Sequence, residues 1–253
     1  MEAGAEKRSI LVSVLYQPPL SFQERLQEAL NEGWPVLVFD NGPERFRESA
    51  LNLTVLSAEG NRGLGYALCE SMKWAHKQGY EYAFYVDQDT IFNSETLAYV
   101  SDSLSALENV QDRRVAVGFT AEGLGNWVSA PLLINAGTLF HLPSLKQLGW
   151  HNPNRFLECV DYEFCLKARR AGFELGQIGA CPGFDHQSEQ PKHGAGRLYS
   201  AERTRAFLLS LFSLAFSALM QGPRRYAWIF IRNIFTHMGS QAWVWWQYKR
   251  QVL

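Results

Sequence analysis

Short apolar runs and helix-period segments alternate along the first part of the chain. "SILVSVLY" (Ser9 to Tyr16) is rich in β-formers and is closed by "QPP". "FQERLQEALNEG" then sets Phe22, Leu26, Ala29 and Leu30 at helical spacing and ends on Gly33. "PVLVFDNG" and "LNLTVLS" are two further strand-like runs, the first stopped by an Asn-Gly turn signal. "GYALCESMKWAHKQG" returns to the helical period, with Ala67, Leu68, Met72 and Ala75 inward and Gly79 at the C-cap. "YAFYV" (Tyr82 to Val86) has no polar alternation, which fits a strand covered on both faces. Strand–helix alternation with apolar strands predicts an α/β fold with a single, mostly parallel central sheet flanked by helices.

Beyond residue 120 the pattern changes. "WVSAPLLINAGTLFHLPSLKQLGW" mixes a strand with a short helix, "VDYEFCLKARRAGF" is an amphipathic helix, and "FELGQIG" is one more strand. From Thr204 onward there is no Asp or Glu but there are Arg205, Arg224, Arg225, Arg232, Lys249 and Arg250. The body therefore carries 18 basic residues against all 25 acids, about −7, and the tail about +6, although the whole chain sums to −1. This divides the expectation into a catalytic domain over 1–203 and a helical extension over 204–253. "RAFLLSLFSLAFSALMQG" reads as about fifteen apolar-leaning residues, short of the roughly twenty that span a bilayer. The aromatic and basic residues of the last stretch suit a membrane interface, or else a pair of helices packed on the domain or on a second copy.

At 47% apolar and 19% charged, the composition is that of a globular protein. The four cysteines form no C-x-x-C pair and the N-terminal apolar run is too short for a signal peptide, so the expectation is reduced thiols in the cytoplasm. Nucleic-acid binding is disfavoured by the acidic body and the lack of any motif for it.

In parallel sheets, ligands bind beyond the carboxyl ends of the strands. Three apolar runs here lead into polar residues: Asp40-Asn41, Asn61 to Gly65, and Asp87 to Asp89 in "YVDQDT". Two carboxylates one residue apart on an extended strand share a side. At about 4 Å in an effective dielectric near 20 they repel by roughly 4 kcal/mol unless a cation or a proton intervenes. Mg²⁺ or Mn²⁺, which takes one or two carboxylates and completes its shell with phosphate oxygens, is the expected relief.

Taken in order, "VFDNG", "NRGLGYA", "VDQDT", "NAGTLF" and "FLECVDYEFCLKARRAGF", with "RLYSAERTR" after them, resemble the GT-A-fold glycosyltransferases of family 2. The nearest likeness is to their bacterial rhamnosyltransferase-like branch. The resemblance covers roughly residues 9 to 205. Pro43, Cys69 and Lys167 depart from the family's usual residues.

The resemblance implies an inverting transfer from a nucleoside-diphosphate sugar, dTDP- or UDP-linked, to a glycan or lipid-linked glycan at the inner face of a bacterial membrane. It implies that Asp40, Asn61, Asp87 and Gly137 serve the donor, that Asp89 and His186 hold the metal, and that Asp161 is the general base. Glu163 is a further carboxylate, on the acceptor side or on a solvated helix face. Two rivals stay open: a sugar-phosphate nucleotidyltransferase, and an inactive GT-A domain acting as a scaffold subunit. The first would want a Gly-rich basic loop where the chain has "SVLYQPPLSF"; the second would be favoured by loss of Asp89 or Asp161, and both are present.

Overall fold

The computed structural model describes residues 9–108, 113–185 and 199–252. The chain forms two compact units, Met1–Ser188 and Glu189–Leu253. The first is built on an eight-stranded sheet in the order β3-β2-β1-β4-β7-β5-β8-β6. Its strands are β1 (Ser9–Leu15), β2 (Val36–Asp40), β3 (Leu53–Ser57), β4 (Tyr82–Asp87), β5 (Arg114–Phe119), β6 (Trp127–Ser129), β7 (Thr138–His141) and β8 (Glu174–Ile178).

The apolar runs become the parallel half of the sheet, β3-β2-β1-β4. The other half is mixed: β7 lies antiparallel between β4 and β5, β8 is parallel to β5, and β6 is antiparallel to β8. Because β7 is antiparallel to both β4 and β5, β5 and β8 run with β1–β4, so six of the eight strands share one direction; the mostly parallel expectation holds, with β7 and β6 as reversed strands. Strand direction is a long-range property that no local pattern carries.

Both faces are covered, which explains the unbroken apolar runs. Ile10 and Val12 of β1 point into one layer with Leu68 and Met72 of α2 (Leu64–Lys77), Leu145 of α4 (Leu142–Leu148) and Phe164 of α5 (Val160–Arg170). Leu11 and Leu15 point the other way, onto Phe22 and Leu26 of α1 (Ser21–Asn31) and Leu97 and Val100 of α3 (Ser94–Glu108). Neither α3 nor β5 is singled out by the hydrophobic pattern above. The chain steps from β1 out to β3 and then returns to the other side of β1 with β4. That reversal opens a crevice at the carboxyl ends, where the register pairs Leu15 with Asp40 and Val14 with Asp87.

The second unit is a helical hairpin of α6 (Ala201–Gln221) and α7 (Arg225–Val252). The Tyr199 N–H donates to Gln241 Oε1 at 2.9 Å and the Phe207 ring lies 4.5 Å from that of His237, so the helices run antiparallel. Ser200 caps α6 by accepting from the Arg203 N–H at 3.1 Å. The composition change at Thr204 therefore falls inside the first turn of α6, because the cap and not the last acid starts the helix. The α6 helix runs 21 residues, and an 18-residue stretch of it reaches a mean hydropathy of 1.3, long and apolar enough to cross a membrane by length and composition alone. The sequence estimate of a segment too short to span is corrected to that extent.

Candidate active site

Asp87 ends β4, and Asp89 lies in the turn that follows rather than in an extended strand. The Thr90 N–H donates to Asp87 O at 3.0 Å, and the Asp87 N–H donates to Thr90 Oγ1 at 3.0 Å. The two acids therefore approach through a β-turn, which replaces the same-side strand geometry expected from their spacing. Gln88, between them, fastens the turn: its side-chain amide donates to Tyr16 O at 3.0 Å and accepts from the Tyr16 N–H at 2.7 Å. Buried Arg25 of α1 donates to Gln88 O at 3.0 Å.

Asp87 Oδ1 accepts from the buried Tyr85 hydroxyl at 2.6 Å. Burial raises the Asp87 pKa and the charge of Asp89 adds to the rise, while the tyrosine hydrogen bond opposes it. Tyr85 is itself pushed well up, first by burial and then by the two acids. Nothing in the sequence marks Tyr85, since an aromatic residue in a buried strand reads as core.

Asp161 stands in the first turn of α5, whose entry is made by Cys159 at φ +61°. Its carboxylate accepts from the Tyr162 N–H at 2.8 Å. Burial, helped by the charge of Asp87 and opposed by the Tyr162 hydrogen bond, pushes its pKa to about 7. That coupling brings an acid from α5 to the acids of β4. Three of the sequence-predicted residues, Asp87, Asp89 and Asp161, thus form one electrostatic group.

Asp40 is 3% exposed, and both its oxygens are engaged by backbone: Oδ1 with the Gly42 N–H at 2.9 Å, Oδ2 with the Phe46 N–H at 3.0 Å. It thereby shapes the 42–48 loop, which with Leu15, Gln17 and Gln23 lines a cleft of about 860 Å³. Asn41 links that strand end to the next loop, donating to Gly63 O at 3.1 Å and accepting from the Arg62 N–H at 3.1 Å. Asn61 is exposed, and its side chain closes a turn by accepting from the Gly63 N–H at 2.8 Å.

The glycines of "NRGLG" are explained by protein rather than by ligand. The α2 N-terminus is capped by another loop: the Leu64 and Gly65 N–H groups donate to Phe156 O and Arg155 O. A Cβ at Gly63 or Gly65 would run into the 152–156 backbone. That loop is held from α5. Glu163 accepts from Asn152 Nδ2 at 2.8 Å and pairs with Arg155 Nε, and Lys167 Nζ donates to Gly149 O and Trp150 O, each at 3.0 Å. Partly exposed Glu163 is thus an anchor for the 152–155 loop.

Gly137, at φ +71°, donates its N–H to Tyr85 O at 2.8 Å, and the ring of Phe184 fills the space over its Cα. The glycine thus has a packing reason, where the resemblance implies a donor contact. His186 lies outside the described residues. Asp185, just before it, exchanges two backbone hydrogen bonds with Ile91, two positions past Asp89.

The donor set at Asp87 and Asp89 suits a hard divalent ion: half-buried carboxylates, one held above its ordinary range partly by the other's charge. Among the described residues no group of three or more His, Cys, Asp or Glu side chains could hold a metal by itself. An ion there would share its coordination shell with ligands from outside this set.

No family model matches the sequence, and no curated protein matches it. Solved structures do. The chain superposes on S. aureus TarS 1–349 in complex with UDP-GlcNAc with a TM-score of 0.58 at 16% identity, over 92% of this chain and 73% of that one. On the crystal structure of S. aureus TarS the values are 0.55 and 14%, over 91% and 43%. On GalNAc-T7 with UDP, GalNAc and Mn²⁺ they are 0.56 and 11%, over 95% and 57%. The chain spans less than half of the longer TarS chain and just over half of GalNAc-T7. The architecture of the first unit is accordingly the α/β fold of the GT-A glycosyltransferases, here followed by a helical extension.

Proposed function

We propose that this protein is a metal-dependent, inverting glycosyltransferase that moves a sugar from a nucleoside diphosphate to a hydroxyl of a glycan or lipid-linked glycan. The observation that carries the proposal is the electrostatic group of Asp87, Asp89 and Asp161 at the carboxyl edge of the sheet, beside the cleft shaped by Asp40. The family 2 assignment and a bacterial rhamnosyltransferase-like role rest on the sequence resemblance. A UDP-sugar donor is supported by the two neighbours that carry UDP-GlcNAc and UDP, and a dTDP-sugar remains the resemblance's alternative.

In this account the nucleoside occupies the Asp40 cleft, where the 42–48 loop supplies Phe46 as an apolar surface and Arg45 and Arg47 as cations. The diphosphate lies toward Asp87 and Asp89. Asp87 and Asp89 would hold Mg²⁺ or Mn²⁺, which when bound would supply Lewis-acid stabilisation of the departing diphosphate; a Mn²⁺-bound neighbour supports this. Gln88, Tyr16 and Arg25 fix the turn so that its acids need not reorganise as charge develops. Asp161 takes the proton of the acceptor hydroxyl as its oxygen bonds to the anomeric carbon and the bond to the diphosphate breaks. A carboxyl group of pKa about 7 suits that task, since proton transfer is most efficient when the base titrates near the working pH.

The test is nucleoside diphosphate release from UDP-, dTDP- and GDP-sugars with a glycan acceptor fraction, run on the wild type and on Asp161→Asn. The expected result is turnover with one nucleotide class and a loss of roughly 10²–10⁴-fold in Asp161→Asn, with nucleotide binding retained. Unchanged turnover in the variant would remove Asp161 from the mechanism.

A further inference from the structure

The helical hairpin has no part in the chemistry above, and its surface is unusual for a water-soluble unit. On α6, Leu209, Phe212, Phe216, Leu219 and Met220 are all more than half exposed. Their spacing of i, i+3, i+7, i+10 and i+11 places them on one face of the helix. On α7, Trp228 is 74% exposed and Phe235 69%, and with Met238 and Trp246 they follow i, i+7, i+10 and i+18, again a single stripe. Trp243 and Trp245 are each half exposed, and Trp243 stacks on Trp246 with ring centroids 5.0 Å apart. Large exposed apolar stripes of this kind mark a surface that is covered in the working protein.

The charges identify what covers it. No carboxylate follows Glu202, while Arg205, Arg224 and Arg232 are exposed along the hairpin. A second copy using the same face in a two-fold contact would set one acid-free, basic surface against another, since such an interface is self-complementary by symmetry. An anionic bilayer meets both requirements together: apolar side chains enter the acyl boundary, tryptophans sit at headgroup level, and arginines reach the phosphates. A bilayer-spanning role fits less well, because only 16 residues of α6, 206–221, follow Arg205 and Arg232 interrupts α7.

We propose that the α6–α7 hairpin is an in-plane anchor for an anionic lipid surface. It holds the chain at a membrane by its aromatic stripes and its acid-free charge. The inference is independent of the donor site, because it is read out without any sugar nucleotide.

The full chain is mixed with phosphatidylcholine vesicles, or with vesicles that also contain phosphatidylglycerol, and co-sedimentation is measured together with solution mass. The expected result is partitioning onto the anionic vesicles, weakened by salt. Each basic side chain near such a surface counts for about fivefold, so Arg205→Gln/Arg224→Gln/Arg232→Gln binds roughly a hundredfold more weakly. Phe216→Ser/Trp228→Ser, which changes only exposed side chains, loses binding while its circular dichroism stays unchanged. Absence of binding to either vesicle overturns the proposal. So does a solution dimer that the Phe216→Ser/Trp228→Ser chain cannot form, which would show a second copy on this face.

Discussion

Half-buried Asp161 and fully buried His151 are both titratable groups, and they fail in opposite directions as pH changes. Asp161 has its folded pKa raised to about 7 from an ordinary carboxylate value of 3.8. Between those values the folded state binds the extra proton, so the unliganded protein loses stability as pH rises from about 4 to 7. Asp161→Asn removes the charge that burial disfavours. Its melting temperature should exceed the wild type's at pH 8 and match it near pH 4, while activity is lost. In the wild type, turnover should fall with a slope of one as pH drops below about 7, because the base must be ionised.

His151 is 1% exposed, stacked on Phe164 at 4.9 Å, and has no hydrogen-bond partner for either ring nitrogen. Burial lowers its pKa from 6.5 to about 3. Here the unfolded chain binds the extra proton, so stability is complete above pH 6.5 and drains away as pH falls toward 3. His151→Phe should flatten that acid limb of the thermal-melt profile; an unchanged limb would assign acid lability elsewhere. These residues also show the limit of a single sequence. Asp87 and Asp89 announce themselves by spacing, whereas Tyr85 reads as an ordinary member of an apolar strand and His151, in "GWHNPN", as a loop histidine, until neighbours far away in sequence surround them.

At the scale of elements, the parallel half of the sheet was legible because each strand is one apolar run bounded by turn residues. The mixed half was not, since the short strands β6 and β7 take their direction from long-range pairing. The most informative miss is the role of α5. Its sequence reads as the carrier of a base, yet Glu163 and Lys167 also tie it to residues 149–155, and the carbonyls of Arg155 and Phe156 cap α2. One continuous set of contacts therefore joins the helix of Asp161 to the loop beside Asn41 and Asp40. Glu163→Gln removes a partly buried, charge-assisted pair and should cost about 1.5–3 kcal/mol in denaturant unfolding. It should also weaken nucleotide binding while leaving the shape of the pH profile intact, which separates an anchor from a base. Gly65→Ala presses a methyl group onto the same loop and should destabilise by about 1–3 kcal/mol. A neutral result there would mean that the 152–156 loop moves aside at no cost.

For the whole molecule, the acidic body and basic tail divide the labour of the account: a carboxylate-rich site that calls for a cation and a diphosphate, and a hairpin suited to an anionic surface. The alternation of strands and helices, together with Asp40, Asp87 and Asp89 at strand ends of one sheet, points to the candidate site in the sequence alone. The separation of Asp161 from Asp87 along the chain hid their coupling, and only the fold reveals it.

The central claim, that the edge bearing Asp87 and Asp89 holds a metal-bound nucleoside diphosphate, is tested most directly by thermal shifts. UDP, dTDP and GDP are each added with Mn²⁺, Mg²⁺ or EDTA, to the wild type and to Asp89→Asn. At a hundred times Kd a ligand stabilises by about 2.7 kcal/mol, which such melts resolve. The account predicts a shift that selects one nucleotide, requires the metal and disappears in Asp89→Asn. No shift with any nucleotide, or an equal shift in EDTA and in Asp89→Asn, would contradict it.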